Sequence, residues 1–182
     1  MIAIAVATAG TQQSGLQAAY AYPDATSAPP LDLVDHDGQR FDLASLGGEP
    51  VLVYFGYTHC PDVCPATIET LNEVIRDFAE PLRAVIVTVD PERDTVEFMA
   101  EYIRYFSDEY IGLTGTPNEI RAAADGYGVT YARVDSDSAS GYAMAHTAEI
   151  YLIDGRGRLR AHYPFGVDPV DIVRDLRYLD TE

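Results

Sequence analysis

An unbroken apolar run at residues 51–55, Val-Leu-Val-Tyr-Phe, ends at Gly56 and is followed by both cysteines of the chain, Cys60 and Cys64. A run so rich in β-branched and aromatic residues predicts a strand buried on both faces. From about Val63 a helical period takes over, with Ile68, Leu71, Val74, Ile75 and Phe78 at three- and four-residue steps. Pro81 breaks that helix, and a second apolar run at residues 83–89 predicts another buried strand. Strand, helix, strand in this order implies parallel strands joined by a right-handed crossover. The same stretch puts two thiols where a buried strand hands over to a helix N-terminus. Free amide groups and the helix dipole there favour thiolate over thiol. Pro61 and Pro65 suit such a loop and first turn, where no amide hydrogen is needed.

The remaining segments arrange themselves around this unit. Residues 31–35 alternate in part, His36-Asp37-Gly38 supplies a turn, and residues 40–43 return, which predicts an N-terminal hairpin. After the second buried strand, Asp90-Pro91-Glu92-Arg93-Asp94-Thr95 makes a turn. Asp94 or Thr95 is the candidate N-cap of a helix carrying Phe98, Tyr102, Ile103 and Phe106. Residues 111–115 fit a short edge strand. Thr116, Pro117 and Glu119 spell a capped helix start, and that helix stops near Gly126 or Gly128. Residues 129–134 predict a strand, and the polar, Ser-rich residues 135–141 a mobile loop. Residues 148–153 and 158–163 flank the turn Asp154-Gly155-Arg156-Gly157 as a second, inserted hairpin. Asp168-Pro169 opens a last helix with Ile172, Val173, Leu176 and Leu179 on one face. The expected class is α/β: a mixed central sheet flanked by helices on both faces.

With 182 residues the chain is long enough for a core without staples, and no internal repeat is visible. Residues 31–182 are expected to form the folded domain, preceded by a tail at residues 1–30. Residues 1–9 are apolar but too short to span a bilayer, and they lack the basic start of a signal peptide. They read as the remnant of an anchor or as a plain tail. Residues 11–30, rich in Ala, Gln, Ser and Pro, read as a tether. The net charge is −17 and every basic residue is arginine. That balance argues against nucleic acid and anionic lipid as partners, since both select basic surfaces. It suits a cation, and also simple solubility.

Two cysteines are too few for a disulfide scaffold, so their closeness points to a reactive or metal-binding pair. Three residues separate them, one more than in redox pairs of the thioredoxin type. If both lie in a first helical turn they share a face. They can close a disulfide or hold one soft ion, Cu(I) or Zn(II), although two thiols alone leave zinc's usual four ligands unfilled. The plain alternative is a pair of inert buried thiols. His146 follows the polar loop and precedes a strand expected beside the central one, so it can come over the cysteine turn from the other side. Its plain alternative is structural. His59 adjoins Cys60 as an outer partner, an alternative ligand or a solvated side chain. His36 and His162 read as structural, and Met144 as core or loop with a soft-ligand role as the alternative. Asp62 is either a carboxylate favoured at a helix N-terminus or a contact for a partner. Asp90 ends a strand, where functional groups gather in such sheets, or it pairs with Arg93. Tyr54 and Tyr57 are expected to wall the site.

These residues carry a family resemblance. Residues 57–65, Tyr-Thr-His-Cys-Pro-Asp-Val-Cys-Pro, resemble the CPxxCP active stretch of the Sco (SenC/PrrC) proteins. Val89-Asp90-Pro91-Glu92-Arg93-Asp94-Thr95 resembles their second motif, and His146-Thr147 followed by Tyr151-Leu152-Ile153-Asp154 their third. The resemblance runs from about Leu31 to Leu179. It implies a thioredoxin-like fold and a copper metallochaperone for cytochrome c oxidase assembly. Cys60, Cys64 and His146 would bind Cu(I) or Cu(II) and deliver it to the binuclear copper centre of subunit II, with another copper chaperone as the donor. It also implies an N-terminal membrane anchor and a place in the periplasm, at the outer face of the cytoplasmic membrane, or in the mitochondrial intermembrane space. One position departs from the pattern: Ala145 stands where many members have an acidic residue before the histidine. The same residues support a second class of function, thiol-disulfide exchange with Cys60 and Cys64 as the redox pair. A redox or copper sensor is a third. A peroxidase fits poorly, because Thr58 stands two residues before the cysteine rather than three.

Overall fold

The computed structural model describes residues 15–18, 20–22, 26–135 and 141–181. Its strands are β1 (Tyr20–Ala21), β2 (Val34–Asp35), β3 (Val51–Gly56), β4 (Arg83–Thr88), β5 (Tyr110–Thr114), β6 (Tyr131–Asp135), β7 (Tyr142–His146), β8 (Glu149–Ile153) and β9 (Leu159–Pro164). Its helices are α1 (Val63–Phe78), α2 (Val96–Ile103), α3 (Pro117–Gly126) and α4 (Pro169–Asp180), with a 3-10 turn at Leu43–Leu46. Seven strands form one sheet in the order β1-β9-β8-β3-β4-β5-β2, and β6 pairs only with β7 in a separate ribbon.

The apolar run 51–55 is the middle of that sheet. All six residues of β3 are buried, as a strand with neighbours on both edges and helices over its faces requires. It pairs in parallel with β4 and antiparallel with β8. Helix α1 makes the crossover between β3 and β4, and its Ile68, Leu71, Val74 and Phe78 are buried in the core. Each such side chain contributes about 1.5–3 kcal/mol through removal from water. The helix ends at Ala79, whose φ of 58° is the left-handed cap conformation usually taken by glycine. Helices α1 and α4 pack together, and α2 packs along β5. The expected capping box of α3 is present, with Thr116 accepting from the Glu119 amide and Glu119 accepting from the Thr116 amide. For α2 the cap is Thr95, not Asp94.

Three segments differ from the sequence expectation. Strand β5 is not the edge, because β2 pairs antiparallel along it. The N-terminal hairpin is reduced to one bridge, Val34 to Arg40, with Phe41 N–H donating to the Leu33 carbonyl at 2.9 Å and Asp35 N–H to that of Gln39 at 2.8 Å. The tether reading of residues 11–30 misses β1, which pairs with β9. Aromatic contact holds it there: the Tyr20 ring stacks on His162 at 5.3 Å, and the Tyr22 hydroxyl lies 3.0 Å from His162 Nδ1. Gln17 N–H, further upstream, donates to the buried Asp175 carboxylate at 2.7 Å. Two paired residues are too few to leave a period-2 signal in a sequence. Residues 1–9, with their anchor reading, lie outside the described residues. Among the described residues no helix is long and apolar enough to cross a membrane.

At the turn between β8 and β9 the fold buries a charge cluster. The Asp154 carboxylate accepts from the amides of Arg156 and Arg158, and pairs with the guanidinium groups of Arg158 and Arg160 at 2.7 and 3.0 Å. Burial pushes this carboxyl up, but the arginines and amides outweigh it and hold it below the usual carboxylate range.

Candidate metal centre

The strand-to-helix handover places the thiols. After β3 the chain turns, with Cys60 N–H donating to the Tyr57 carbonyl at 3.3 Å, and α1 begins at Val63. Asp62 is the N-cap residue, yet its side chain makes no capping bond. The sulfur of Cys60 takes that role by accepting from the Cys64 amide at 3.3 Å. Burial works against a Cys60 thiolate, but amide N–H groups of Asp62 and Cys64 and the side chains of Cys64 and Tyr57 outweigh it. They hold Cys60 below the usual thiol range. Cys64, one residue into the helix, is buried, and burial pushes its thiol up to about 12. Both cysteines are free. At rest the pair is therefore asymmetric: a half-exposed sulfur poised to ionise and a buried one that keeps its proton.

His146 comes from the other side. It is the last residue of β7 and precedes β8, the strand beside β3, as expected, and the ribbon brings it to the cysteines. Its Nε2 lies 3.7 Å from Cys64 Sγ. Its Nδ1 is 3.1 Å from the Thr147 carbonyl oxygen, so Nδ1–H donates there and the Nε2 lone pair faces the thiols. Burial lowers its pKa against a smaller opposing pull from that backbone bond, which keeps the imidazole neutral and able to ligate. The ligand atoms of Cys60, Cys64 and His146 all lie within 4.8 Å of one another. Metal–sulfur and metal–nitrogen bonds of roughly 2.0–2.3 Å would set donors around a trigonal ion about 3.7 Å apart, so this arrangement is nearly closed already. No fourth His, Cys, Asp or Glu joins the group among the described residues. Two sulfurs and one imidazole form a soft, three-donor set that suits Cu(I) better than tetrahedral zinc.

The walls are those expected. The Tyr54 and Tyr57 rings meet His146 edge-on at 6.2 and 5.8 Å. Tyr54 leans over Gly56, where an added Cβ would stand 2.6 Å from the Tyr54 ring and 3.2 Å from Cys64 Sγ. Gly56→Ala is therefore expected to displace both and to cost about 1–3 kcal/mol, read as a lowered melting temperature. Behind Cys64 a cavity of about 10 Å³ lies between Tyr54, Thr88, Asp94 and Tyr102.

The other candidates separate. His59 sits beside the group, stacked on Phe98 at 5.1 Å and 3.0 Å from the Thr58 hydroxyl. Met144 packs on the core, and its backbone hydrogen-bonds the Tyr57 hydroxyl. Asp62 is exposed. Asp90 does not join the three donors; it pairs with Arg93 and accepts from the Tyr142 hydroxyl at 2.9 Å. His36 accepts from the Gly112 amide at 3.2 Å. Sequence reasoning missed Asp94. Fully buried, its carboxylate accepts from the Thr58 amide at 3.1 Å and from the Thr58 and Thr88 hydroxyls at 2.6 Å each. It pins the cysteine loop to the end of β4. In the sequence Asp94 reads as a candidate N-cap of α2 and as part of the stretch 89–95 that resembles the second family motif, and neither signal shows that it is turned inward.

Fold and site together define a thioredoxin-like protein with a Cys-Cys-His group that could hold a metal ion. The SCO1/SenC family model matches residues 21–179, and the chain belongs to that family. It is 36% identical to an SCO2-like protein of Rickettsia prowazekii over 79% of this chain and 72% of that one. It is 39% identical to the mitochondrial SCO2 homologue of Mus musculus over 81% of this chain and 60% of that one. Among solved structures, ScoI of Bradyrhizobium japonicum with copper bound superposes with a TM-score of 0.73 at 37% identity, covering 85% of this chain and 99% of that one. ScoI of Arabidopsis thaliana with copper bound gives 0.76 at 32%, covering 84% and 99%.

Proposed function

We propose that this protein is a copper carrier for cytochrome c oxidase assembly, binding the ion through Cys60, Cys64 and His146 and delivering it to the binuclear copper centre of subunit II. The observation that carries the reading is the convergence of two thiols and a neutral imidazole from separate elements within 4.8 Å. Copper-bound relatives at 32 and 37% identity support the choice of ion. Three donors leave room for a ligand of the client or of a donor chaperone to enter before one of the carrier's own leaves, so the ion passes without being set free. The mitochondrial relatives and the apolar residues 1–9 support a tethered protein in the periplasm, at the outer face of the membrane, or in the intermembrane space. Anaerobic titration is expected to load one Cu(I) per chain, with X-ray absorption showing two sulfurs and one nitrogen. Sulfur-only coordination, or no saturable site, would sink the reading.

The unequal thiols favour a second activity of the same site. The Cys60 thiolate can attack a client disulfide to give a mixed disulfide and release one client thiolate. Cys64 then attacks Cys60 Sγ, its proton passing to the departing second client sulfur, which leaves as a thiol beside a Cys60–Cys64 disulfide. The client gains two electrons and the carrier loses two. His146→Ala separates the readings: it is expected to weaken copper binding while leaving reduction of a disulfide peptide within about twofold, since no step uses the imidazole.

A further inference from the structure

Among the described residues, the ribbon that carries His146 pairs with no strand of the main sheet, so contacts other than a sheet ladder fix its distance from the cysteines. Along β7 the side chains of Tyr142, Met144 and His146 fall on one face. At the far end of that face Tyr142 is held to the body three ways. Its hydroxyl donates to Asp90 at 2.9 Å, its carbonyl accepts from Arg93 Nη1 at 3.2 Å, and the Arg93 guanidinium lies over its ring at 3.7 Å. Arg133, from β6, lies over the same ring at 3.9 Å. Arg93 is mostly buried, ion-paired to the buried Asp90, and also reaches the Tyr57 ring at 5.8 Å. One guanidinium thus touches the aromatic wall on the cysteine side and the strand that carries the histidine.

We propose that Asp90, Arg93 and Tyr142 form a latch that seats the ribbon, and that Arg93 is a positioning residue for His146. The inference rests on His146 being a copper donor. A planar guanidinium that bonds a carboxylate and a carbonyl while stacking on a ring cannot be replaced in kind by an ammonium, so Arg93→Lys opens the latch while keeping the charge. The expected loss is about tenfold in Cu(I) affinity, the lower end for outer partners of a metal site. Tyr142→Phe keeps the ring and loses one hydrogen bond, for an expected loss of about threefold.

The experiment is a competition titration of Cu(I) against a chromophoric chelator. It uses wild type, Arg93→Lys, Tyr142→Phe and His146→Ala, and each latch variant combined with His146→Ala. The Cu(II) forms are compared by electron paramagnetic resonance. The latch predicts that both variants lose affinity and move the resonance towards that of His146→Ala, and that neither changes anything further once His146 is gone. Equal losses with and without His146 would make the cluster merely structural and overturn the proposal, as would unchanged affinity in both single variants. If His146→Ala itself binds Cu(I) as tightly as wild type, the donor reading fails first and the latch with it. Should Arg93→Lys fail to fold, Tyr142→Phe carries the same comparison.

Discussion

Cys64→Ser and Cys60→Ser are each expected to abolish tight Cu(I) binding, lowering affinity by more than about a hundredfold, the upper end of what removal of a mere outer partner costs. The two thiols should nevertheless behave differently in every other assay. Cys60 is half-exposed and held as a ready thiolate by the amides of Asp62 and Cys64. Iodoacetamide should therefore modify it first, and Cys60→Ser should leave the protein nearly unreactive. Cys64 keeps its proton to about pH 12 in the empty site. An ion that binds its sulfur must expel that proton. Copper loading near neutral pH is expected to release at least one proton per ion, and apparent affinity to fall about tenfold for each unit of pH lowered. The sign follows from the thiolate being the ligand: acid competes with the metal. Equal alkylation rates would contradict the unequal thiols, and pH-independent affinity would show that Cys64 is not a donor.

Asp154→Asn is expected to be the most damaging substitution outside the site, destabilising the fold by about 3 kcal/mol, as when one partner of a buried ion pair is removed. That corresponds to a melting temperature lower by roughly 6–12 °C for a chain of this size. Asp154 is 7% exposed and Arg160 only 3%, so the variant removes a carboxylate from the guanidinium groups of Arg158 and Arg160 where water has little access. The loss has a pH signature. The folded-state pKa of Asp154 lies below its unfolded value, so its contribution is complete above the ordinary carboxylate range. It disappears as the pH falls through the folded value. Wild type and variant should therefore converge in stability in acid and differ most at neutral pH. Thermal melts at pH 7 and near pH 3 test this; a constant difference would place the cost elsewhere.

The central β-α-β unit was legible because β3 and β4 are buried along nearly their whole length, and full burial writes itself as an unbroken apolar run. The capped start of α3 was legible because each of its three signals is a specific side-chain chemistry. Strand β7 was not. Its outward Ala143 and Ala145 carry no polar contrast to Tyr142, Met144 and His146, so alternation is lost, and the Ser-rich residues before it read as loop. Of those, residues 136–140 lie outside the described residues. The candidate donors were legible by residue type, and Cys60 and Cys64 also by position. The approach of His146 was not, because it depends on how β6 and β7 fold back from 82 residues away. The inward turn of Asp94 escaped for a related reason. A carboxylate just before a helix reads as a cap, and only tertiary structure reveals that it is turned inward.

The split origin of the three donors makes the cargo a clasp. Cys60 and Cys64 belong to the start of α1, and His146 to a ribbon outside the main sheet. An ion held by all three adds a further tie between parts of the chain that the contacts of Tyr142 with Asp90 and Arg93 already join, and it is lost when they part. Binding to the folded chain alone adds about 4 kcal/mol to stability when free ion stands a thousandfold above the dissociation constant. Loaded and empty carriers thus differ in how often they open. If the three residues hold copper as proposed, a protease that samples opened chains is expected to cut the empty protein far faster than the loaded one.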